Sequence, residues 1–383
     1  MAIAMKQSLL ITAVAVTVFV SAGIILVMAD SDASDSTIND DVILQSDVTC
    51  IAQPDKPYDI VVLGDGADAC FVVNNIKTTH EALVIDSTPS SKPQLIMITS
   101  EWASKNNDVE ATINATMDSG NMVSLFKTSV NWEKIEYKIS YPVNTPTAFA
   151  AKVTDNGVAS YSVICQTDSD AIDRLVAWAD DHTLTTYDLA SNEIPYGQTY
   201  ESFHDFENVS YGWTNIRTHY YKLTEDNPNY DYYTGWYVTT IDPNDGSFGS
   251  GLDVRSEMDG GTMIKQGPNP TEGTSTAEVS LELSRGTDGV SITRGLTWSY
   301  SISDVVVMNH SSVHQNILDI DHNIDESKNV GHCTYTVEPG KVIRLNEGES
   351  YHGEDSYKSQ FCHRILGHYT QYDDMEQTYV ISL

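Results

Sequence analysis

The chain has 383 residues, of which 54 are acidic and 21 basic, giving a formal net charge of -33. A surface this acidic repels phosphate backbones and anionic lipid headgroups, which excludes nucleic acid as a partner. It suits a salty medium, where screening removes the self-repulsion, or a site that gathers divalent cations.

Residues 8–28, SLLITAVAVTVFVSAGIILVM, carry no charge; Lys6 precedes them and Asp30, Asp32 and Asp35 follow. A helix of that length crosses a bilayer at about 1.5 Å per residue, with its N-terminus inside. The expectation for 1–29 is a signal peptide cut after Ala29 or a retained transmembrane anchor that meets the membrane through 8–28. Either way the rest is extracellular or at the cell surface. Residues 30–54, rich in Asp, Ser and Thr, read as an acidic linker.

Over 55–195 short apolar runs recur: YDIVVLG (58–64), ALVID (82–86), QLIMIT (94–99), NMVSLF (121–126) and YSVIC (161–165). Between them lie helical periods. Asn107-Asp-Val-Glu110 has the spacing of a capping box and leads into Val109, Ile113 and Met117, with Gly120 as the stop. Asp168 or Ser169 caps a second helix carrying Ile172, Leu175, Val176 and Ala179. Strands apolar on both faces, alternating with amphipathic helices, predict a sheet covered by helices.

Over 200–383 the helical period vanishes. Ala277–Ser284 alternates apolar and polar at every step, and Arg285-Gly-Thr-Asp-Gly289 and Asp242-Pro-Asn-Asp-Gly246 are turn sequences. Further strands are expected at 209–223, 230–241, 334–344 and 377–383, which together suggest a sandwich. The predicted fold is an α+β multidomain chain. It comprises an N-terminal membrane segment, an α/β domain with a mainly parallel sheet, and a C-terminal antiparallel β-sandwich.

The cysteines are Cys50, Cys70, Cys165, Cys333 and Cys362. Disulfides persist outside the cell, and the expected bridges are Cys333–Cys362 and Cys50–Cys70, with Cys165 packed as a small hydrophobe. Asn114-Ala-Thr116, Asn208-Val-Ser210 and Asn309-His-Ser311 are glycan acceptor triplets, which makes the chain a candidate glycoprotein.

Three constellations bear on chemistry. Gly64-Asp-Gly66-Ala-Asp-Ala69 follows a strand and precedes Asp86, so it resembles the dinucleotide-binding fingerprint of Rossmann folds. That resemblance implies pyrophosphate on the glycines and a ribose on Asp86. Asp65 and Asp68 oppose it, because they put negative charge where phosphate would bind.

The second is histidine-rich. His310 and His314, with Asp321 and His322 close behind, supply donors for a divalent metal ion. The third is an aromatic band from 211 to 237, whose candidate ligand contacts are Trp213, Tyr220, Tyr232 and Trp236; such side chains stack on sugars or anchor proteins. Neither a G-x-S-x-G elbow nor a P-loop lysine occurs, so no enzyme class is indicated.

The block from Trp298 through Val305 to Asp325 resembles uncharacterised exported β-rich proteins of archaea, and brings no activity with it. The reading is a non-enzymatic surface module that recognises glycan or protein. The alternative is a metal-binding protein or metal-dependent hydrolase built on the histidine and aspartate cluster.

Overall fold

The structure is a computed structural model that describes residues 48–53, 56–85, 92–154, 157–184, 199–208, 210–222, 229–270, 277–282, 297–302, 304–325, 329–365 and 368–382. The chain forms two compact units. One takes in residues up to 136 together with 148–153 and 172–185; the other holds 137–147, 154–171 and 186–383.

In chain order the first strands are β1 (Val48–Ala52), β2 (Asp59–Leu63), β3 (Leu83–Ile85), β4 (Gln94–Thr99), β5 (Met122–Phe126), β6 (Tyr141–Pro142), β7 (Ala148–Thr154) and β8 (Gly157–Ile164). The helices are α1 (Ala67–Thr79), α2 (Ser100–Lys105), α3 (Val109–Asp118) and α4 (Asp168–Leu184). The remaining strands begin with β9 (Thr199–Asn208), β10 (Gly212–Lys222), β11 (Tyr230–Pro243), β12 (Ser247–Asp259), β13 (Thr262–Gly267), β14 (Ala277–Glu282) and β15 (Thr297–Ile302). They continue with β16 (Val305–Asn309), β17 (Ile317–Ile324), β18 (Tyr335–Val337), β19 (Gly340–Asn346), β20 (His352–Ile365) and β21 (His368–Ser382).

In the first unit the strand order is β7-β5-β4-β2-β1-β3. Only β2–β4 and β4–β5 are parallel; the β1–β2, β1–β3 and β5–β7 pairs are antiparallel. Every residue of β2, β4 and β5 is buried, as apolar runs with no wet face require. Helix α1 buries Ala69, Val72 and Ile76, and α3 buries Val109, Ile113 and Met117. The capping box of α3 is not formed: Glu110 turns away and accepts from the Asn131 amide at 2.9 Å.

The second unit has two large sheets. One runs β13-β19-β11-β10-β9-β8, with β18 also on β11; the other runs β16-β17-β12-β20-β21-β6. All these pairs are antiparallel except β8–β9. The sheets meet face to face through alternate residues. Thr218 Oγ1 reaches Tyr357 OH at 2.7 Å, Thr214 bonds Ser359, and the Tyr220 phenol donates to Asp355 at 3.1 Å. Among the described residues, strands β14 and β15 pair only with each other.

Over the described residues as a whole strands outweigh helices, and the expected α+β multidomain fold is corrected to a predominantly β one. The sheet of the first unit is mixed rather than mainly parallel. The VTCIA run of β1, expected in the linker, lies between β2 and β3 and runs against both, and β7 returns to β5 without a helical crossover, so these outer pairs are antiparallel. The segment 8–28, expected as a transmembrane helix, lies outside the described residues, and among those residues no helix is long and apolar enough to cross a membrane.

The expected disulfides are also corrected. No disulfide joins any of the cysteines, and each expected pair sets a buried thiol (Cys50, Cys362) against an exposed one (Cys70, Cys333). Two of the acceptor triplets engage their asparagine amides in hydrogen bonds within the chain. Asn114 Nδ2 donates to the Lys134 carbonyl at 3.2 Å, and Asn309 Nδ2 donates to Gln266 at 2.7 Å and to the Pro268 carbonyl at 2.6 Å.

Candidate cation site on the six-stranded sheet

Period-two alternation places successive residues of β12 and β17 on opposite faces. Val254, Leu318, Ile320, His322 and Ile324 are buried on one face, and Asp253, Arg255, Asp319 and Asp321 occupy the other. In the antiparallel register Asp253 stands opposite Asp321 and Arg255 opposite Asp319. One carboxylate oxygen from each of Asp253, Asp319 and Asp321 lies within 4.8 Å of the others.

The local cations are already paired, one of them within the cluster. Arg255 donates to Asp319 at 2.7 Å and also to Glu257, and Lys358, opposite Asp253 on β20, pairs with Asp374 at 2.8 Å. Asp253 Oδ1 is buried with no hydrogen-bond partner among the described residues. Burial first, and then the Asp321 and Asp319 carboxylates, hold the Asp253 carboxyl well above the usual range. Like charges opposite one another on a strand pair destabilise it, so the cluster stores an unmet demand for positive charge.

Of the four metal donors read from the sequence, Asp321 alone belongs to this cluster. His310 approaches it, with Nε2 3.4 Å from Asp321 Oδ2. His314 lies exposed in a short 3-10 turn, Val313–Gln315. His322 is buried on the opposite face from Asp321, because adjacent strand residues point apart. Asp253 was missed because its partners lie more than sixty positions along the chain; only the strand register brings them together.

The aromatic contacts do not form a platform. Tyr220 and Tyr232 are each 1% exposed, and Tyr220 hydrogen-bonds Tyr237 at 2.6 Å in the space between the sheets. Trp213 and Trp236 are half-buried. Trp213 pairs with Asp242 and Trp236 with His219, six positions away, about 20 Å along the strands. Trp236 stacks on His219, with ring centroids 5.2 Å apart.

The glycine turn of the first unit is filled from within. Glu101 of α2 places its carboxylate at the N-terminus of α1, accepting from the amides of Asp68 at 2.7 Å and Ala69 at 3.3 Å. A Cβ on Gly66 would collide with that carboxylate, and one on Gly64 (φ +135) with the Thr99 hydroxyl. The glycines admit the β4–α2 corner, and the place where phosphate would bind carries a negative charge. Asp86 lies outside the described residues.

No family model matches the chain, and no curated protein matches it. Among solved structures it is similar to the Clostridium perfringens delta-toxin, at 9% identity and a TM-score of 0.31, covering 48% of this chain and 93% of that one. A structure described as a pore forming protein aligns at 8% identity and a TM-score of 0.26, covering 49% of this chain and 92% of that one. The membrane-inserted form of the Clostridium perfringens NetB toxin gives 6% identity and a TM-score of 0.21, covering 48% and 92% respectively. Likenesses of this size carry no argument, and the reading below rests on the residues alone.

Proposed function

We propose that this chain is a non-enzymatic binding protein that holds one hard divalent cation between Asp253, Asp319 and Asp321. The observation that carries the reading is the buried, unpartnered Oδ1 of Asp253 inside a trio of carboxylates. Oxygen donors suit Ca²⁺, Mg²⁺ or Mn²⁺. Ligands at roughly 2.3–2.6 Å from one Ca²⁺ lie no further than about 5 Å from each other, which matches the observed spread. Arg255 orients Asp319 through one oxygen and leaves its second available. The remaining coordination positions fall to water or to a partner's oxygen atoms, which is how such a site would serve recognition.

The test is calorimetric titration of the chelator-treated full chain with CaCl₂, MgCl₂ and ZnCl₂. The expected outcome is one Ca²⁺ site whose affinity falls at least about tenfold in Asp253→Asn. No heat with any of the ions would end the reading, and Zn²⁺ binding tighter than Ca²⁺ would move His310 into the ligand set.

A second reading concerns the β14–β15 pair. Among the described residues it joins neither large sheet, and the apolar–polar alternation of its sequence runs on into Leu283 and, interrupted at Arg294, back to Val290. Strands of about 9–11 alternating residues are the length and pattern of a membrane-inserting hairpin. Dye release from neutral phosphatidylcholine vesicles, abolished by Leu281→Asp, is the expected outcome; tight vesicles at micromolar protein would discard it.

A further inference from the structure

His204 touches both large sheets of the second unit. It sits on β9, where its register partner on β8 is Ser162, and its Nδ1 lies 2.8 Å from the Ser162 hydroxyl. Its Nε2 lies 3.2 Å from the hydroxyl of Ser140, the residue before β6 at the edge of the six-stranded sheet. The ring stacks on Tyr379 of β21 at a centroid distance of 3.6 Å, and Tyr379 is in turn the register partner of Pro142 in β6. One imidazole on β9, 1% exposed, thus bonds or stacks on two other strands and the segment leading into β6.

The groups that bond or stack on it are uncharged. Two serine hydroxyls face the ring nitrogens and the Tyr379 phenol ring faces its plane. Tyr379 stays protonated, since burial drives its pKa far up. The nearest carboxylate on its own strand, Asp205, is bonded to Tyr161 at 2.8 Å and points to the other face. The serines can accept from an imidazolium, so the obstacle to protonation is the burial of a charge without a counter-ion. Burial accordingly pushes the His204 pKa down to about 3.

We propose that protonation of His204 unlatches β9 from the β6–β21 edge of the second sheet and makes that sheet contact an acid-sensitive joint. An imidazole released into water recovers its ordinary affinity for protons. The opened form then binds one more proton than the closed form, from about pH 6.5 down to about pH 3. Across that window its population relative to the closed form rises up to about tenfold per pH unit. The contact is suited to opening because the hydroxyls of Ser140, Ser160 and Ser162 line it, and water can satisfy them.

The experiment is hydrogen exchange of the full chain at pH 7 and pH 4.5, corrected for intrinsic chemistry. Peptides covering 137–147, 199–208 and 374–382 are compared with 94–126 of the first unit. The expected result is at least tenfold loss of protection at pH 4.5 confined to the three joint peptides, and no such loss in His204→Gln, which keeps a neutral donor and acceptor. Equal protection at both pH values, uniform loss across the second unit, or the same loss in His204→Gln would each overturn the proposal. Should His204→Gln fail to fold, the wild-type exchange pattern decides, together with an NMR titration of His204. An ordinary imidazole pKa in the closed protein would overturn it.

Discussion

Glu101 shows how much one side chain decides. The glycine-rich turn before α1 has the spacing of an anion-binding loop, and the structure does place an anion there, from the chain itself. The free amides at the start of a helix favour negative charge, and Glu101 meets that demand across 33 residues of sequence. Glu101→Ala is expected to lower stability by about 1 kcal/mol, read as a shift in urea midpoint at unchanged slope. A wild-type midpoint in the variant would show that water replaces the carboxylate without loss. The turn was legible in the sequence; its occupant was not, because nothing local to residues 64–69 marks a glutamate on the next crossover as its partner.

At the scale of elements, strands were easier to read than the faces they show. The alternation of β17 is visible in ILDIDHNI and its burial follows it residue by residue. The aromatic band also reads as strand, yet Tyr220 and Tyr237 turn inward to bond Asp355, while Trp213 and Trp236 stand apart. Lys341 of β19 completes that interior group. Its ammonium contacts Ser256 and Tyr351 and faces the rings of Tyr220, Tyr237 and Tyr351 at 5.4–5.8 Å, and Ser256 also donates to Asp355. Burial lowers the Lys341 pKa to about 8 and raises that of Asp355. Removing one partner strands the other charge, so Lys341→Ala should cost about 3–5 kcal/mol in chemical denaturation. The double change Lys341→Met with Asp355→Leu should recover most of that loss. A double variant as unstable as the single one would show that packing around Lys341, rather than the stranded carboxylate, sets the cost.

For the whole molecule the controlling quantity is charge. A net charge of -33 on 383 residues opposes every compact state through self-repulsion, and salt relieves it by shortening the screening length from about 10 Å at 0.1 M to about 3 Å at 1 M. The melting temperature is therefore expected to rise by roughly 2–8 °C between 0.1 and 1 M NaCl. A flat or falling melting temperature would mean that the local ion pairs lost to screening, such as Arg255–Asp319 and Lys358–Asp374, outweigh the global repulsion.

The sequence by itself determined the acidity, the strand-rich character of 200–383 and the buried periods of β2, β4, β5, α3 and α4, because charge and periodicity are properties of neighbouring residues. The tertiary structure decided the rest. It made the sheet of the first unit mixed, kept Cys50 and Cys362 away from exposed partners, filled the glycine turn with Glu101 and set Asp253 beside Asp319 and Asp321. Each of these depends on strand register or on contacts between residues dozens of positions apart. A shift of one residue in register would send the same carboxylates to the opposite face.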